Sequence, residues 1–192
     1  MLEEESVQLT DEELVVRARH DQRYFGMLIE RYQQKLLRYI RRISSVPIEE
    51  AEDILQEVFI KTYQQLNNFD ESLSFSSWIY RITHNETIST YRKNKSRPQG
   101  NSIDVEERVI ENIASEWNLT NEIEQRLLKQ YFSDIFSQLD IKYRTVLELK
   151  YIEDKSYKEI SDILKKPEGT IATLLNRAKK KCIQLIEQQP YE

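Results

Sequence analysis

Glycine, proline and cysteine are scarce in this chain. Its 192 residues include 3 glycines, 4 prolines and 1 cysteine, whereas an average composition would supply about a dozen glycines at this length. β-Sandwiches, barrels and dinucleotide-binding folds need many glycines in their turns, so these fold classes are disfavoured. The single cysteine, Cys182, excludes an internal disulfide framework and is typical of a protein from a reducing cytoplasm.

Long apolar runs are absent as well. The sequence contains no apolar stretch long enough for a transmembrane helix or for the core of a signal peptide. Its acidic beginning, Glu3-Glu4-Glu5, also opposes a targeting signal. We therefore expect a cytoplasmic protein with no membrane insertion. The sequence does contain 32% charged and 39% hydrophobic residues, a balance that favours amphipathic helices over disorder.

The net charge of −5 is unevenly distributed along the chain. Residues 1–30 carry 3 basic and 8 acidic side chains, and residues 98–130 carry 3 and 7. In contrast, residues 61–97 carry 6 basic and 3 acidic side chains, and residues 155–181 carry 8 and 3. The acidic total disfavours a nucleic-acid partner, but the two basic zones are where such a partner would bind.

The spacing of apolar residues predicts helices along most of the chain. Thr10 and Glu13 form the sequence pattern of a capping box at the start of the first helix. The breaker cluster at 97–102 and the acidic residues after it predict a linker over 96–122, in which a short helix is expected around Val105–Ile113. We therefore predict an all-α protein with two helical domains, 1–95 and 123–192, joined by a flexible acidic linker. The further helices are predicted at about 22–44, 48–67, 74–94, 122–138, 141–152, 156–165 and 169–187.

The second domain contains the pattern of a helix-turn-helix. A short amphipathic helix over 156–164 is followed by a turn that contains Pro167 and Gly169, after which Thr170 can begin a new helix. The N-terminal part of the second helix of this motif enters the major groove, where Thr, Asn and Arg can contact base edges. The alternative is an ordinary helical hairpin with a solvated polar face. The polar face of the second helix is formed by Thr170, Thr173, Asn176, Arg177 and Lys180, with Lys179 and Lys181 also available for phosphates.

Aromatic and basic residues alternate in the segment 75–97. Rings can stack on unpaired bases while cations follow the phosphates, so this pattern indicates a single-stranded nucleic-acid surface. The alternative is that Phe75, Trp78, Ile79 and Ile82 belong to the hydrophobic core, which we expect for most of them. The residues expected on an exposed face are Tyr80, Arg81, His84, Asn85 and Arg92.

Five short motifs, in order, give the chain a family resemblance. It resembles bacterial RNA polymerase sigma factors of the extracytoplasmic-function type, in the sigma-70 family, over nearly its whole length. The family's polymerase-binding pattern is matched by Glu52–Phe59, and its Phe-x-x-Trp-Leu-Tyr-Arg-Ile-Ala-x-Asn pattern is matched by Phe75–Asn85. The second domain contributes the remaining matches, at Tyr143-Arg144, Ser156–Ser161 and Pro167–Ile171.

The resemblance implies a division of roles among the site residues. The partner proteins would be core RNA polymerase, through its β′ clamp helices and β subunit, and an anti-sigma factor. The DNA partner would be double-stranded at the −35 element and single-stranded at the −10 element, and the chain would help to melt the latter. Polymerase would be bound by Asp53, Gln56 and Glu57; the −10 element by Trp78, Arg81, His84, Asn85, Arg92 and Lys93; and the −35 element by Thr170, Thr173, Asn176, Arg177 and Lys180.

The chain also departs from the family pattern at several positions. Ser89 stands where the family usually has Asp, Asp140 where it often has Pro, and Ser161 where it usually has Ala. Ala172 and Leu174 replace residues that are commonly basic. Because two cations are absent from the second helix of the motif, we do not predict which −35 DNA sequence the chain recognises.

Two other classes of function compete with this interpretation. An enzyme is disfavoured because the two histidines and one cysteine form no metal-ligand spacing and no glycine-rich phosphate loop is present. We expect no cofactor and no metal. A helix-turn-helix regulator acting without polymerase would leave the segment 75–97 unexplained, and a purely helical scaffold would not bind DNA. The sequence therefore favours a promoter-specificity subunit that directs transcription initiation and catalyses no reaction itself.

Overall fold

The chain is helical wherever its structure is described. The computed structural model describes residues 9–94 and 135–188, and within these ranges every regular element is a helix. The predicted all-α class is therefore confirmed. The predicted linker at 96–122, with its short helix around Val105–Ile113, lies outside the described residues.

The helix bounds match the predicted ones closely. Helix α1 spans Asp11–Ala18, α2 spans Gln22–Ser44, α3 spans Ile48–Gln65 and α4 spans Phe75–Asn94. A 3₁₀ turn, Leu66–Asn68, extends α3. Beyond the linker, residues 135–138 are helical. The remaining elements are α5 at Ile141–Leu147, a π-helical turn at Glu148–Ile152, α6 at Tyr157–Leu164 and α7 at Glu168–Gln188.

The described residues form two compact units. The first contains the residues up to Ile40 and those from Pro47 to the end of α4. The second contains Arg41–Val46 and the residues from Ile135 onwards. The predicted domain boundaries, 1–95 and 123–192, stay predictions.

Helix starts follow the local chemistry of the sequence. Thr10 accepts a hydrogen bond from the backbone N–H of Glu13 at 3.2 Å, and the Glu13 carboxylate accepts one from the backbone N–H of Thr10 at 2.7 Å. The predicted capping box is therefore confirmed. Hydrogen bonding of the Glu13 carboxylate to the backbone N–H of Thr10, and then to the Thr10 side chain, lowers the pKa of Glu13. Between α2 and α3, Pro47 directly precedes α3 and helps to end α2, since proline disfavours helical geometry in the residue before it.

The core of the first unit is rich in aromatic rings. Phe69 and Phe75 pack edge-on with ring centroids 5.8 Å apart, and Tyr32 of α2 packs against Phe75 at 5.5 Å. Such tilted ring pairs contribute about 0.5–1.5 kcal/mol each beyond their buried area. The cluster fixes the first turn of α4 against α2.

The core of the second unit lies between α7 and the helices before it. Ile171, Leu175, Ala178 and Cys182 recur at three- and four-residue steps along α7, and all four are buried. They face an apolar set on α5, its π-helical turn and α6. Within this unit Arg42 also donates to Glu148 at 3.0 Å, and both side chains are buried. The buried apolar residues of α5, the π-helical turn and α6 include Val146, Leu147, Leu149, Ile160 and Ile163.

Gly26 offers a direct test of helix propensity. It lies inside α2, where a Cβ atom would meet no heavy atom within 4 Å apart from its own helix and chain neighbours. Glycine in a helix interior is destabilising because it loses more backbone entropy on folding, so Gly26→Ala should raise the free energy of unfolding by about 0.5–1 kcal/mol. Urea unfolding followed by circular dichroism measures the change.

A second glycine provides the control. Gly169 also has open space around its Cβ position but lies in the first turn of α7. Gly169→Ala should change stability less than Gly26→Ala, because helix propensity has its full effect only in the interior. Unchanged or reduced stability of Gly26→Ala would contradict the prediction.

Candidate nucleic-acid and protein interfaces

One polar stripe of α4 carries most of the predicted −10 residues. Trp78, Arg81, Asn85 and Arg92 follow one another at steps of three, four and seven residues, which places them along one side of the helix. Asn85 and Arg92 are exposed and Arg81 is half-buried. Lys93, next to Arg92, is exposed as well. The stripe therefore presents an amide and cationic groups to solvent.

Trp78 is buried although it lies on this stripe. Its side is opposite the main buried face of α4, which is formed by Tyr80, Thr83 and Thr87. Trp78 is only 7% exposed because two rings pack against it: that of Phe69, in the segment before α4, at 5.0 Å, and that of Phe75 at 5.8 Å. The Trp78 ring is therefore covered by these two rings, and it connects the polar stripe of α4 to the aromatic core.

The predicted exposure of Tyr80 is wrong. Tyr80 is 1% exposed and its ring packs edge-on against Tyr39 of α2, with centroids 5.3 Å apart. The reason is its helical position. Thr83 and Thr87 follow it at three- and four-residue steps, and their hydroxyls donate to the carbonyls of Ile79 and Thr83 at 2.8 Å, so this face can be buried with its polar groups satisfied. Tyr80 therefore belongs to the core.

His84 is held at the border between the polar stripe and the core. Its Nδ1 is hydrogen-bonded to the Tyr39 hydroxyl at 3.2 Å, and the imidazole is half-buried. Two residues further along α4, Glu86 forms an ion pair with Lys61 of α3. These contacts fix the orientation of α4 against α2 and α3 and leave Asn85 facing solvent.

The predicted polymerase-binding residues lie on one exposed side of α3. Asp53, Gln56 and Glu57 are all exposed, and Gln56 and Glu57 come three and four residues after Asp53. Sequence reasoning missed Ile60, which comes seven residues after Asp53 on the same side and is 49% exposed. A large apolar side chain among acids is a typical feature of a protein-binding surface. The seven-residue spacing between Asp53 and Ile60 was the available sequence signal, since it places an apolar residue on the polar side of the helix.

The turn of the helix-turn-helix differs in detail from the predicted one. Helix α7 begins at Glu168 rather than at Thr170, so Gly169 lies inside the helix. The left-handed position is Lys165, with φ 51° and ψ 48°, directly after α6. Ser161, where the family usually has alanine, donates its hydroxyl to the Lys166 carbonyl at 2.6 Å. This hydrogen bond satisfies a turn carbonyl and gives the departure a structural role.

Helix α6 begins with a capping box that sequence reasoning missed. The Ser156 hydroxyl accepts from the backbone N–H of Glu159 at 3.2 Å, and the Glu159 carboxylate accepts from the backbone N–H of Ser156 at 2.9 Å. Burial of Glu159 opposes its ionisation, but the hydrogen bonds from Ser156 and the charge of Lys155 outweigh burial and lower its pKa. The Ser-x-x-Glu spacing at 156–159 was the available sequence signal.

The predicted −35 residues are all exposed on α7. Thr170, Thr173, Arg177 and Lys180 lie along one side at three- and four-residue steps, and Asn176 lies beside them. The Thr173 hydroxyl donates to the Gly169 carbonyl at 2.8 Å within the helix. Arg177 and Lys180 therefore provide the cationic groups of this surface, near the N-terminal half of α7.

Cys182 belongs to the core and not to a reactive site. It is buried on the inner side of α7, and burial raises the pKa of its thiol to about 12. In residues 9–94 and 135–188 no three His, Cys, Asp or Glu side chains are grouped so that they could hold a metal ion. The helices described by the structure also include none long and apolar enough to span a membrane.

Comparison with protein families separates the chain into two known regions. Residues 28–97 match sigma-70 region 2, and residues 129–182 match sigma-70 region 4. The first match includes α3 and α4 with their exposed stripes. The second includes the helix-turn-helix formed by α6 and α7.

Similar proteins agree with these two matches. The chain is 34% identical, over 83% of its length and 87% of the other chain, to the ECF RNA polymerase sigma factor SigW of Bacillus subtilis. The fold is similar to that of CnrH solved with the cytosolic domain of CnrY, with a TM-score of 0.68, 22% identity and coverage of 94% of this chain and 99% of that one. It is also similar to the sigma factor RpoE solved with the anti-sigma factor NepR from Bartonella quintana, with a TM-score of 0.64, 18% identity and coverage of 86% and 98%.

The two regions define a sigma-70 class protein. With the identity and coverage shared with SigW, they show that the chain belongs to the extracytoplasmic-function RNA polymerase sigma factors. It directs the initiation of transcription by RNA polymerase.

Proposed function

We propose that the exposed side of α3 binds the β′ clamp helices of core RNA polymerase. Three exposed polar residues, Asp53, Gln56 and Glu57, precede the exposed Ile60 on this side, so the surface combines charge with an apolar side chain. Charges steer association and set orientation, whereas desolvation of the apolar side chain supplies affinity. Ile60 is the observation that raises this side of α3 above an ordinary solvated helix face. The β subunit is the second polymerase contact of the chain.

The polar stripe of α4 binds the −10 element as an unpaired strand. Extruding a base costs a few kcal/mol, so a rigid site must offset this cost by stacking and hydrogen bonds. Asn85 supplies an exposed amide for a base edge, and Arg81, Arg92 and Lys93 supply cations for the phosphates. Trp78 and His84, both held by the core, form the rigid base of the site. Their fixed positions support melting because they require no reordering when DNA binds.

The exposed side of α7 reads the −35 element in the major groove. Thr170, Thr173 and Asn176 can contact base edges, and Arg177 can form two hydrogen bonds to a guanine. Lys180 positions the helix on the phosphate backbone. The half-buried Ala172 and Leu174 provide no cations, so this surface relies on Arg177 and Lys180 for its charge.

The charge distribution fits a subunit that acts within a larger complex. The chain has a net charge of −5, and its basic zones coincide with the two DNA-binding surfaces. Polymerase supplies much of the attraction for DNA, so the free chain needs only local positive charge at the sites where it reads the promoter. The chain functions in the cytoplasm and catalyses no reaction itself.

An anti-sigma factor is the expected regulatory partner. The RpoE chain of similar fold was solved in complex with one, which supports the same type of partner here. Such a protein would cover the exposed sides of α3, α4 and α7 and so prevent polymerase and promoter binding. Two observations support this partner: the chain's family, and three exposed surfaces that must be uncovered before the chain can bind polymerase and promoter DNA.

Run-off transcription tests the proposed function. Without the chain, core polymerase should transcribe few genomic fragments of the encoding organism. Addition of the chain should stimulate transcription from specific start points. The double variant Asp53→Ala, Glu57→Ala should lose this stimulation together with core binding, because it removes the charges of the α3 surface. Absence of stimulation by the wild-type chain on every fragment would contradict the proposal.

A variant outside the α3 surface controls for the loss of an acidic group. Glu30 is exposed on α2 and lies outside the proposed surfaces. Glu30→Ala should retain both core binding and stimulation. Loss of stimulation in this variant as well would mean that total charge, and not the α3 surface, decides the result.

Replacement of Arg177 tests −35 recognition. If Arg177 pairs with a guanine, Arg177→Ala should reduce discrimination at that base pair by about 1–3 kcal/mol. Competition binding of the polymerase complex to wild-type and singly substituted −35 sequences measures the loss. Lys181→Ala, which removes an exposed cation from the same helix, should weaken binding to all sequences about equally. An unchanged base preference in Arg177→Ala would exclude the contact.

A further inference from the structure

The segment between α3 and α4 is held by a single arginine. Arg19, directly after α1, donates from Nε to the Leu66 carbonyl at 3.3 Å and from Nη2 to the Phe69 carbonyl at 3.0 Å. Its Nη1 also contacts the Glu71 carboxylate at 2.6 Å. One guanidinium therefore joins three acceptors that are spread along six residues of this segment.

The other end of α1 holds the end of the same segment. Glu12 accepts a hydrogen bond from the backbone N–H of Phe75 at 3.0 Å, which satisfies a free donor at the start of α4. Glu12 and Arg19 both precede residue 28, where the match to sigma-70 region 2 begins. Helix α1 thus fixes the path by which the chain enters α4.

This path decides how Trp78 is placed. Phe69, whose carbonyl accepts from Arg19, is the residue whose ring covers Trp78 at 5.0 Å. Trp78 lies on the polar stripe of α4 and not on the helix's main buried face, so its burial depends on this segment. A shift of Phe69 would therefore move or expose the Trp78 ring while the packing of Tyr80, Thr83 and Thr87 stayed in place.

We propose that Arg19 is a positioning residue for −10 recognition, acting through Phe69 on Trp78. The inference rests on the proposed role of α4 in binding unpaired DNA. Only a planar guanidinium can satisfy two carbonyls and a carboxylate in this arrangement, because an ammonium is a single point of charge with different donor directions. Arg19 is 22% exposed and Glu71 is 54% exposed, so water can replace the lost hydrogen bonds when Arg19 is removed. The main consequence of its removal is a less ordered segment, and the fold of the unit is retained.

The test uses the full chain assembled with core polymerase on a promoter found by run-off transcription. Arg19→Ala and Arg19→Lys should reduce open-complex formation by about tenfold, the size expected when one base-stacking contact is lost. Core binding and −35 discrimination should stay unchanged in both variants. Arg23→Ala is the matched control, because it removes an arginine whose guanidinium pairs with Asp21, two residues away. It should leave open-complex formation unchanged.

A second readout reports on Trp78 directly. Replacing Trp117, the other tryptophan of the chain, with Phe leaves Trp78 as the only indole. In this background Arg19→Ala and Arg19→Lys should shift the emission of Trp78 to longer wavelength and increase its quenching by acrylamide. Arg23→Ala should change neither quantity. If Arg19 were purely stabilising, its replacement would lower the midpoint of unfolding without changing the Trp78 emission of the folded chain.

The outcomes separate this inference from the proposed function. Wild-type open-complex formation in Arg19→Ala, or full rescue by Arg19→Lys, would overturn the positioning role. If Asn85→Ala impairs open complexes and the Arg19 variants do not, only the inference fails. If neither Asn85→Ala nor the Arg19 variants have an effect, the role of α4 in DNA binding fails as well. If Arg19→Ala does not fold, Arg19→Lys decides the matter, since it keeps the charge and the aliphatic stem.

Discussion

The packing of three aromatic rings at the start of α4 supports the most specific surface of this sigma factor. Phe69, Phe75 and Trp78 lie within 5.8 Å of one another, measured between ring centroids. Their burial gives α4 a fixed starting point, from which the helical repeat carries Asn85 and Arg92 to solvent. A helix that was free to roll would not present an amide at a defined place. The aromatic cluster therefore links the hydrophobic core of the first unit to the chemistry of its polar stripe.

The three proposed binding surfaces differ in the side chains that they present. On α3 an exposed apolar residue, Ile60, shares one side with the acids Asp53 and Glu57, as suits a protein partner. On α4 a nearly buried aromatic ring adjoins exposed amide and cationic groups, as suits an unpaired strand. On α7 the exposed residues are hydroxyl, amide and cationic groups without a large apolar side chain, as suits the major groove. Because the cationic groups are concentrated on α4 and α7, the chain can bind DNA although its net charge is negative.

Much of this architecture could be predicted from the sequence because it depends on local patterns. Helix α2 was predicted at 22–44 and spans Gln22–Ser44, since its apolar residues recur at a helical period over six turns. The exposed side of α7 was also predicted correctly. The turn before it was predicted less exactly: Thr170 was expected to begin the helix, which in fact begins at Glu168, and the left-handed residue is Lys165. Gly169 lies in the first turn of α7.

Features that depend on distant parts of the chain could not be predicted. The contacts of Arg19 join residues about fifty positions apart, and no helical period reveals them. Trp78 shares a stripe with exposed residues, and the rings of Phe69 and Phe75 that pack against it account for its burial. Tyr80 was expected on the exposed face because an interleaved aromatic-basic pattern suggests stacking. In fact its place in the helical repeat puts it against Tyr39.

The account depends most on the claim that the polar stripe of α4 recognises unpaired −10 DNA. Binding of the polymerase complex to a single-stranded oligonucleotide carrying the non-template −10 sequence measures this recognition directly. Wild-type complex should prefer this strand to a scrambled strand of the same composition, and Asn85→Ala should reduce the preference by about tenfold while core binding is retained. Equal affinity of wild-type complex for both strands, or an unchanged preference in Asn85→Ala, would contradict the account.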